Sequence, residues 1–190
     1  MERFTIQKND FLSHDCTGYF HLYYVGYGQP GNPDYLNTLK NIFVSTHPDT
    51  LRAASRQAAA LMIQDIPQVI DAEGLNEAIL IAVPRSKSGM CNWQLGFKAA
   101  VRTTVKALQA DGLSVIDGTD FIFRHTSTKM THLRKPVSNF ENTGSDPYPG
   151  ITKDTCDIQN KSIKGRTVIL IDDIYTKTVN VDEDCIQALY

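Results

Sequence analysis

The chain has 190 residues, 42% of them hydrophobic, which is enough for one domain with a sizeable core. Nineteen Lys and Arg face 21 Asp and Glu, and the resulting net charge of -2 excludes a general electrostatic bias toward nucleic acid or anionic membranes. No apolar run is long enough to span a bilayer and Met1-Glu2-Arg3-Phe4 does not open a secretory signal, so a cytoplasmic protein is expected.

In chain order, the aromatic and β-branched segment Tyr19 to Val25 predicts a strand, and the glycine- and proline-rich stretch from Gly26 to Pro33 a break. Asp34 to Phe43 reads as a short helix. Asp49 to Ile66 carries apolar residues at Leu51, Ala54, Ala58, Leu61 and Met62, a helical period with Pro48 at its start, and Pro67 predicts a boundary or kink. Ala78 to Val83 is a nearly continuous apolar strand running into Pro84-Arg85-Ser86-Lys87-Ser88-Gly89. Trp93 to Ala110 reads as a helix and Asp120 to Phe123 as a strand, while Arg124 to Asp157 is rich in turns. The order predicts an α/β fold around a parallel sheet, with no internal repeat.

Cys16, Cys91, Cys156 and Cys185 are widely spaced, without a Cys-x-x-Cys pair, unlike a zinc ribbon or a disulfide framework. His14-Asp15-Cys16 reads as a turn, because three adjacent residues do not ordinarily converge on one ion.

The densest chemistry lies near the C-terminus. Thr167 to Ile171 is almost wholly apolar, the pattern of a central parallel strand covered on both faces, and it stops at Asp172 and Asp173. In open α/β sheets ligands bind at the carboxyl ends of such strands. Ionised carboxylates accept hydrogen bonds only, which suits sugar hydroxyls or, through water, a metal ion. Thr176, Lys177, Thr178, Val179 and Asn180 then form a polar turn before a helix from Val181 to Tyr190, whose N-terminus favours an anion. Asn180 with Glu183 resembles a capping box, and Asp182, Glu183 and Asp184 are the acids expected in a first helical turn.

Residues 168 to 176, Val-Ile-Leu-Ile-Asp-Asp-Ile-Tyr-Thr, resemble the phosphoribosyl pyrophosphate (PRPP) signature of type I phosphoribosyltransferases. The resemblance implies an open, mainly parallel sheet flanked by helices with a small N-terminal hood. Residues 1 to 45 are the expected hood and 46 to 190 the core, in which a further C-terminal strand would be usual for the family. It implies that Asp172 and Asp173 are catalytic and hold the ribose hydroxyls, and that Thr176, Lys177, Thr178, Val179 and Asn180 hold the 5-phosphate. Arg85, Ser86 and Lys87 take the place of the pyrophosphate-binding loop. Arg124, Lys129, Arg134 and Lys135 are the candidate lid over the leaving group, and Arg124 with Thr126 also resembles competence-protein-F-like members of the family. His125, His132 and Glu141 receive no catalytic role. Tyr23, Tyr24 and Tyr27 read as packing residues, with stacking on an acceptor as the alternative.

The activity implied is transfer of ribose 5-phosphate from PRPP, with Mg²⁺ bound through PRPP and water, to a nitrogen acceptor with release of pyrophosphate. One departure motivates a second reading. The family loop usually reads Thr-Thr-Gly-x-Thr, and Thr178 stands at its glycine, where a close backbone approach to phosphate is harder. The alternative is a non-catalytic regulator that binds PRPP or a nucleotide and acts through a protein partner. A homodimer is compatible with both readings, and neither calls for nucleic acid or a membrane.

Overall fold

A computed structural model describes residues 1–40, 47–131 and 141–190. The chain opens with a hairpin of β1 (Glu2–Ile6) and β2 (Cys16–Phe20), antiparallel with Glu2 opposite Phe20 and Ile6 opposite Cys16. β2 ends before the predicted limit, and Leu22 to Val25 lies outside it with Leu22, Tyr23 and Val25 well exposed. Helix α1 (Asp34–Leu39) comes next, burying Leu36 and Leu39.

Helix α2 (Pro48–Ala72) begins with Pro48 in its first turn and His47 Nδ1 accepting the Asp49 N–H at 3.2 Å. It passes through Pro67, where the sequence predicts a boundary or kink, and ends beyond it at Ala72. A proline inside a helix loses one backbone hydrogen bond. Here Ile66 and Val69, on either side, are buried, Ile66 in the layer against the sheet, and tertiary packing holds the segment helical. Gly74, at φ +62, turns the chain toward β3 (Ala78–Ala82), and the Leu75 N–H returns to Ile70 O at 2.9 Å.

A 3₁₀ turn (Asn92–Leu95) leads into α3 (Gly96–Ala110), which buries Ala100, Val101, Thr104, Val105 and Leu108. Then come β4 (Val115–Asp117), β5 (Ile122–Arg124), β6 (Cys156–Ile158), α4 (Asn160–Ile163), β7 (Val168–Ile171) and α5 (Val181–Leu189). β5 and β6 form a separate antiparallel pair.

β4, β3 and β7 make a parallel sheet in that order, so β3 is the centre and β7 an edge among the described strands. This corrects the reading of Thr167 to Ile171 as a central strand. A short apolar run signals burial on two faces, but not how many neighbours it pairs with. Alternate residues of β3 serve opposite layers. Ala78, Leu80 and Ala82 pack with α2, α3, Ile169 and Ile171; Ile79 and Ile81 pack with α4, α5, Val168 and Leu170. The structure is thus a mixed α/β fold with a small parallel sheet between helices. Among the described residues no helix is long and apolar enough to cross a membrane.

Candidate functional site

Two strand tips meet at the carboxyl edge of the sheet. β3 and β7 pair in register with Ala82 opposite Ile171, and the Val83 N–H donates to Ile171 O at 2.9 Å. Pro84-Arg85 and Asp172-Asp173 therefore leave adjacent strands at the same level. Burial lowers the pKa of the Arg85 guanidinium, while Asp173 and then Asp172 act to raise it. The three side chains therefore share one environment. Arg85 Nη2 also donates to Lys40 O at 2.9 Å, tying the end of α1 to this tip.

The two carboxyls differ in state. Asp173 Oδ1 lies 2.9 Å from Lys40 Nζ, and its side chain is only 7% exposed. Asp172 is half-buried, and burial, reinforced by the negative charge of Asp173 and of Asp182, pushes its pKa well above the ordinary carboxylate range. Asp182 is pushed up to about 7, chiefly by burial, with a hydrogen bond to Asp172 acting in the opposite direction. Two carboxyls in one low-dielectric site cannot both ionise cheaply, so burial and their mutual repulsion favour the neutral form of each.

Asp182, Glu183 and Asp184 are all buried, with Glu183 at 2% exposure. They occupy the first turn of α5 as the sequence predicts, and Glu183 and Asp184 also make interior hydrogen bonds. Asp184 Oδ2 accepts the N–H groups of Gly150 at 2.6 Å and Ile151 at 2.9 Å. Glu183 Oε1 accepts from the Tyr175 hydroxyl at 2.9 Å, while Oε2 is buried without a hydrogen-bond partner. Burial and then the bond to Glu183 raise the Tyr175 pKa. The capping box is not formed: the Asn180 side chain makes no cap bond and its Oδ1 accepts from Asn9 Nδ2 at 3.1 Å.

The expected phosphate loop is a tight turn in which the Val179 N–H donates to Thr176 O at 2.9 Å. Thr176, Lys177 and Thr178 are exposed, whereas Val179 and Asn180 are half-buried. This turn comes shortly after the acidic pair.

The residues expected at the pyrophosphate are drawn into the segment after β5. Thr128 N–H donates to Ser86 O at 2.7 Å, Ser127 Oγ accepts from the Ser88 N–H at 3.0 Å, and the Lys87 ammonium donates to Thr143 O. Burial lowers the Lys87 pKa. Arg124, expected in a lid, is 9% exposed and acts as an internal strut: Nε donates to Arg85 O at 2.6 Å and Nη1 to Gly150 O at 2.9 Å. It ends a strand whose residues alternate between interior and solvent, and that parity turns its side chain inward. Lys129 is at the surface, 3.0 Å from Asp146. Arg134 and Lys135 lie outside the described residues.

Three participants escape a reading of the sequence: Lys40, Asp182 and the Tyr175–Glu183 pair. Lys40 has no local signal, because it reaches Asp173 only through the packing of α1. Asp182 and Glu183 have one, three consecutive acids shortly after an acid-tipped strand, but helix-start preference accounts for such a run equally well. The hard oxygen donors Asp172, Asp173, Thr176 and Thr178 suit Mg²⁺ contacts made through water. No group of three His, Cys, Asp or Glu side chains stands ready to hold a metal directly among the described residues. Comparison of the chain with protein-family models, with curated proteins and with solved structures finds no match.

Proposed function

We propose that the chain is a phosphoribosyltransferase-type domain that binds PRPP at the paired tips of β3 and β7 and transfers its ribose 5-phosphate to a nitrogen acceptor. The observation that carries this reading is the register of the two strands, which sets Arg85 beside Asp172 and Asp173. A cation for pyrophosphate then adjoins acceptors for a diol. The exposed turn from Thr176 to Thr178 comes next in the chain and offers two hydroxyls and a cation to a 5-phosphate.

Asp172 and Asp173 orient the ribose hydroxyls, Lys177 and the turn hold the 5-phosphate, and Arg85 draws the negative charge that grows on pyrophosphate. The rate advantage comes from orientation and electrostatic stabilisation, and no protein nucleophile is needed. Bound with the substrate, Mg²⁺ supplies neutralisation of the pyrophosphate charge.

A second reading, a PRPP- or nucleotide-responsive regulator, is favoured by one specific feature. Asp173 is engaged by Lys40 and Asp172 by Asp182, so a sugar must displace both contacts to bind. Displacing Lys40 moves the end of α1, a change that a protein partner can read.

Titration of PRPP with Mg²⁺ by calorimetry, and then pyrophosphate release against a panel of nucleobases, separates the two. Micromolar binding with release on at least one acceptor is expected of the enzyme, and binding without release of the regulator. Asp172→Asn combined with Asp173→Asn is expected to weaken PRPP at least 100-fold while the circular dichroism spectrum stays unchanged. Unaltered affinity in that variant would sink the ribose assignment.

A further inference from the structure

Lys40 follows the last turn of α1 and reaches both strand tips. Its carbonyl oxygen accepts from Arg85 Nη2 at 2.9 Å, and its ammonium lies 2.9 Å from Asp173 Oδ1. Against burial, which raises them, the same ammonium acts to lower the pKa values of Asp172 and Asp182. One cation from the N-terminal part of the chain thus serves three carboxyls of the C-terminal part. Lys87, which donates to Thr143 O, and Arg124, which holds two carbonyls, are committed elsewhere.

The two partners of this ion pair are unequally enclosed. The Lys40 side chain is 28% exposed and that of Asp173 only 7%. Lysine carries its charge on a flexible four-carbon stem, whereas the Asp173 carboxylate hangs one carbon from the end of a strand. A hydroxyl that binds Asp173 therefore has to move the ammonium, not the carboxylate. An ammonium taken off its carboxylate in a partly enclosed site loses a charge-assisted bond, and a neutral sugar offers it no replacement. A ligand with its own anion does. Arg85 is tied to the Lys40 carbonyl, so an anion drawn to Arg85 arrives beside the displaced ammonium.

We infer that Lys40 is a specificity-determining residue, a gate on Asp173 that opens for a sugar accompanied by pyrophosphate and stays shut to the same sugar alone. The inference rests on the sugar-phosphate reading of the site and adds to it the residue that couples the two halves of the ligand. Pyrophosphate takes Lys40 together with Arg85, and Asp173 is freed for the ribose hydroxyls. Such coupling is reciprocal, so a sugar seated on Asp173 strengthens the hold on pyrophosphate by the same factor. A purely structural ion pair between Lys40 and Asp173 predicts no coupling through Lys40.

The test is an NMR titration of the intact protein with ribose 5-phosphate in Mg²⁺, with and without saturating inorganic pyrophosphate, after calorimetry with PRPP. Pyrophosphate should tighten ribose 5-phosphate by about tenfold or more in the unaltered protein and by less than about twofold in Lys40→Met. Lys40→Arg, which keeps the charge, should restore coupling of at least about fivefold. Without pyrophosphate, Lys40→Met should bind ribose 5-phosphate more tightly than the unaltered protein does, because nothing then covers Asp173. Equal coupling in the unaltered protein and Lys40→Met would overturn the gate. So would an affinity for ribose 5-phosphate that pyrophosphate leaves unchanged in the unaltered protein, a result that needs no variant to fold. PRPP binding alongside either result would remove the gate and leave the sugar-phosphate reading standing, whereas no binding of PRPP to the unaltered protein would remove both.

Discussion

β3 and β7 are near twins in composition, Ala-Ile-Leu-Ile-Ala and Val-Ile-Leu-Ile, and they run parallel in register. Their circumstances differ. Ile79, Leu80 and Ile81 are wholly buried between two strands and two helical layers, whereas every residue of β7 is half-buried. The tips differ in the same sense. The β3 tip is clamped by a guanidinium on a carbonyl, Arg124 on Arg85 O, while the β7 tip carries a lysine contact and two buried carboxyls whose pKa values are raised. The centre of the sheet is a framework, and its edge carries the groups that can change partners.

Cavity formation provides the sharpest contrast. Leu80→Ala is expected to cost about 3–4 kcal/mol and Leu170→Ala about half that, because the half-open site around Leu170 has fewer contacts to lose. Urea denaturation of the two variants checks it, and equal losses would mean that the β7 edge is covered in solution.

The clamp of the β3 tip comes next. Arg124→Met should cost about 2–3 kcal/mol by leaving the Arg85 carbonyl without its donor and the Gly150 carbonyl with the Thr155 hydroxyl alone. A thermal midpoint unmoved by this change would show that the β3 tip does not depend on the strut.

The β7 tip yields the smallest effect and the one tied to pH. Asp182 has a folded-state pKa raised to about 7 from an ordinary 3.8, so the fold favours its neutral form. The resulting stabilisation is fully present below about pH 4 and is lost as pH rises through 7, on the order of 1–2 kcal/mol for the coupled pair. Urea midpoints measured at pH 5, 6 and 8 should fall accordingly, and Asp182→Asn should flatten the trend. A midpoint that rises over that range would contradict the raised pKa of Asp182.

Much of the architecture is readable in the sequence because it rests on local patterns. The periods of α2 and α3, the apolar runs of β3 and β7, and the carboxylates at the end of β7 all come from residue type and spacing. Strand β2 stops short of its predicted end because Leu22 to Val25 has strand-forming residues but no described neighbour to pair with. The passage of α2 through Pro67 is hidden because flanking burial offsets one missing bond. At the site, Asp172, Asp173 and Arg85 can be named from their strand ends. Their present partners cannot: Lys40 is brought to Asp173 by helix packing, and Asp182 reaches Asp172 only after the chain reverses into α5.

The sequence by itself determined that two aliphatic strands end in charged loops of opposite sign, since covalent order fixes which residues leave the end of a strand. Only the tertiary structure decided that those strands are neighbours, that β7 is an edge whose outer backbone groups no described strand pairs, that Arg124 is a strut, and that three consecutive acids are buried. Each of these depends on which distant segment lies alongside. Pairing and burial are set by contacts between remote parts of the chain, for which local spacing carries little signal.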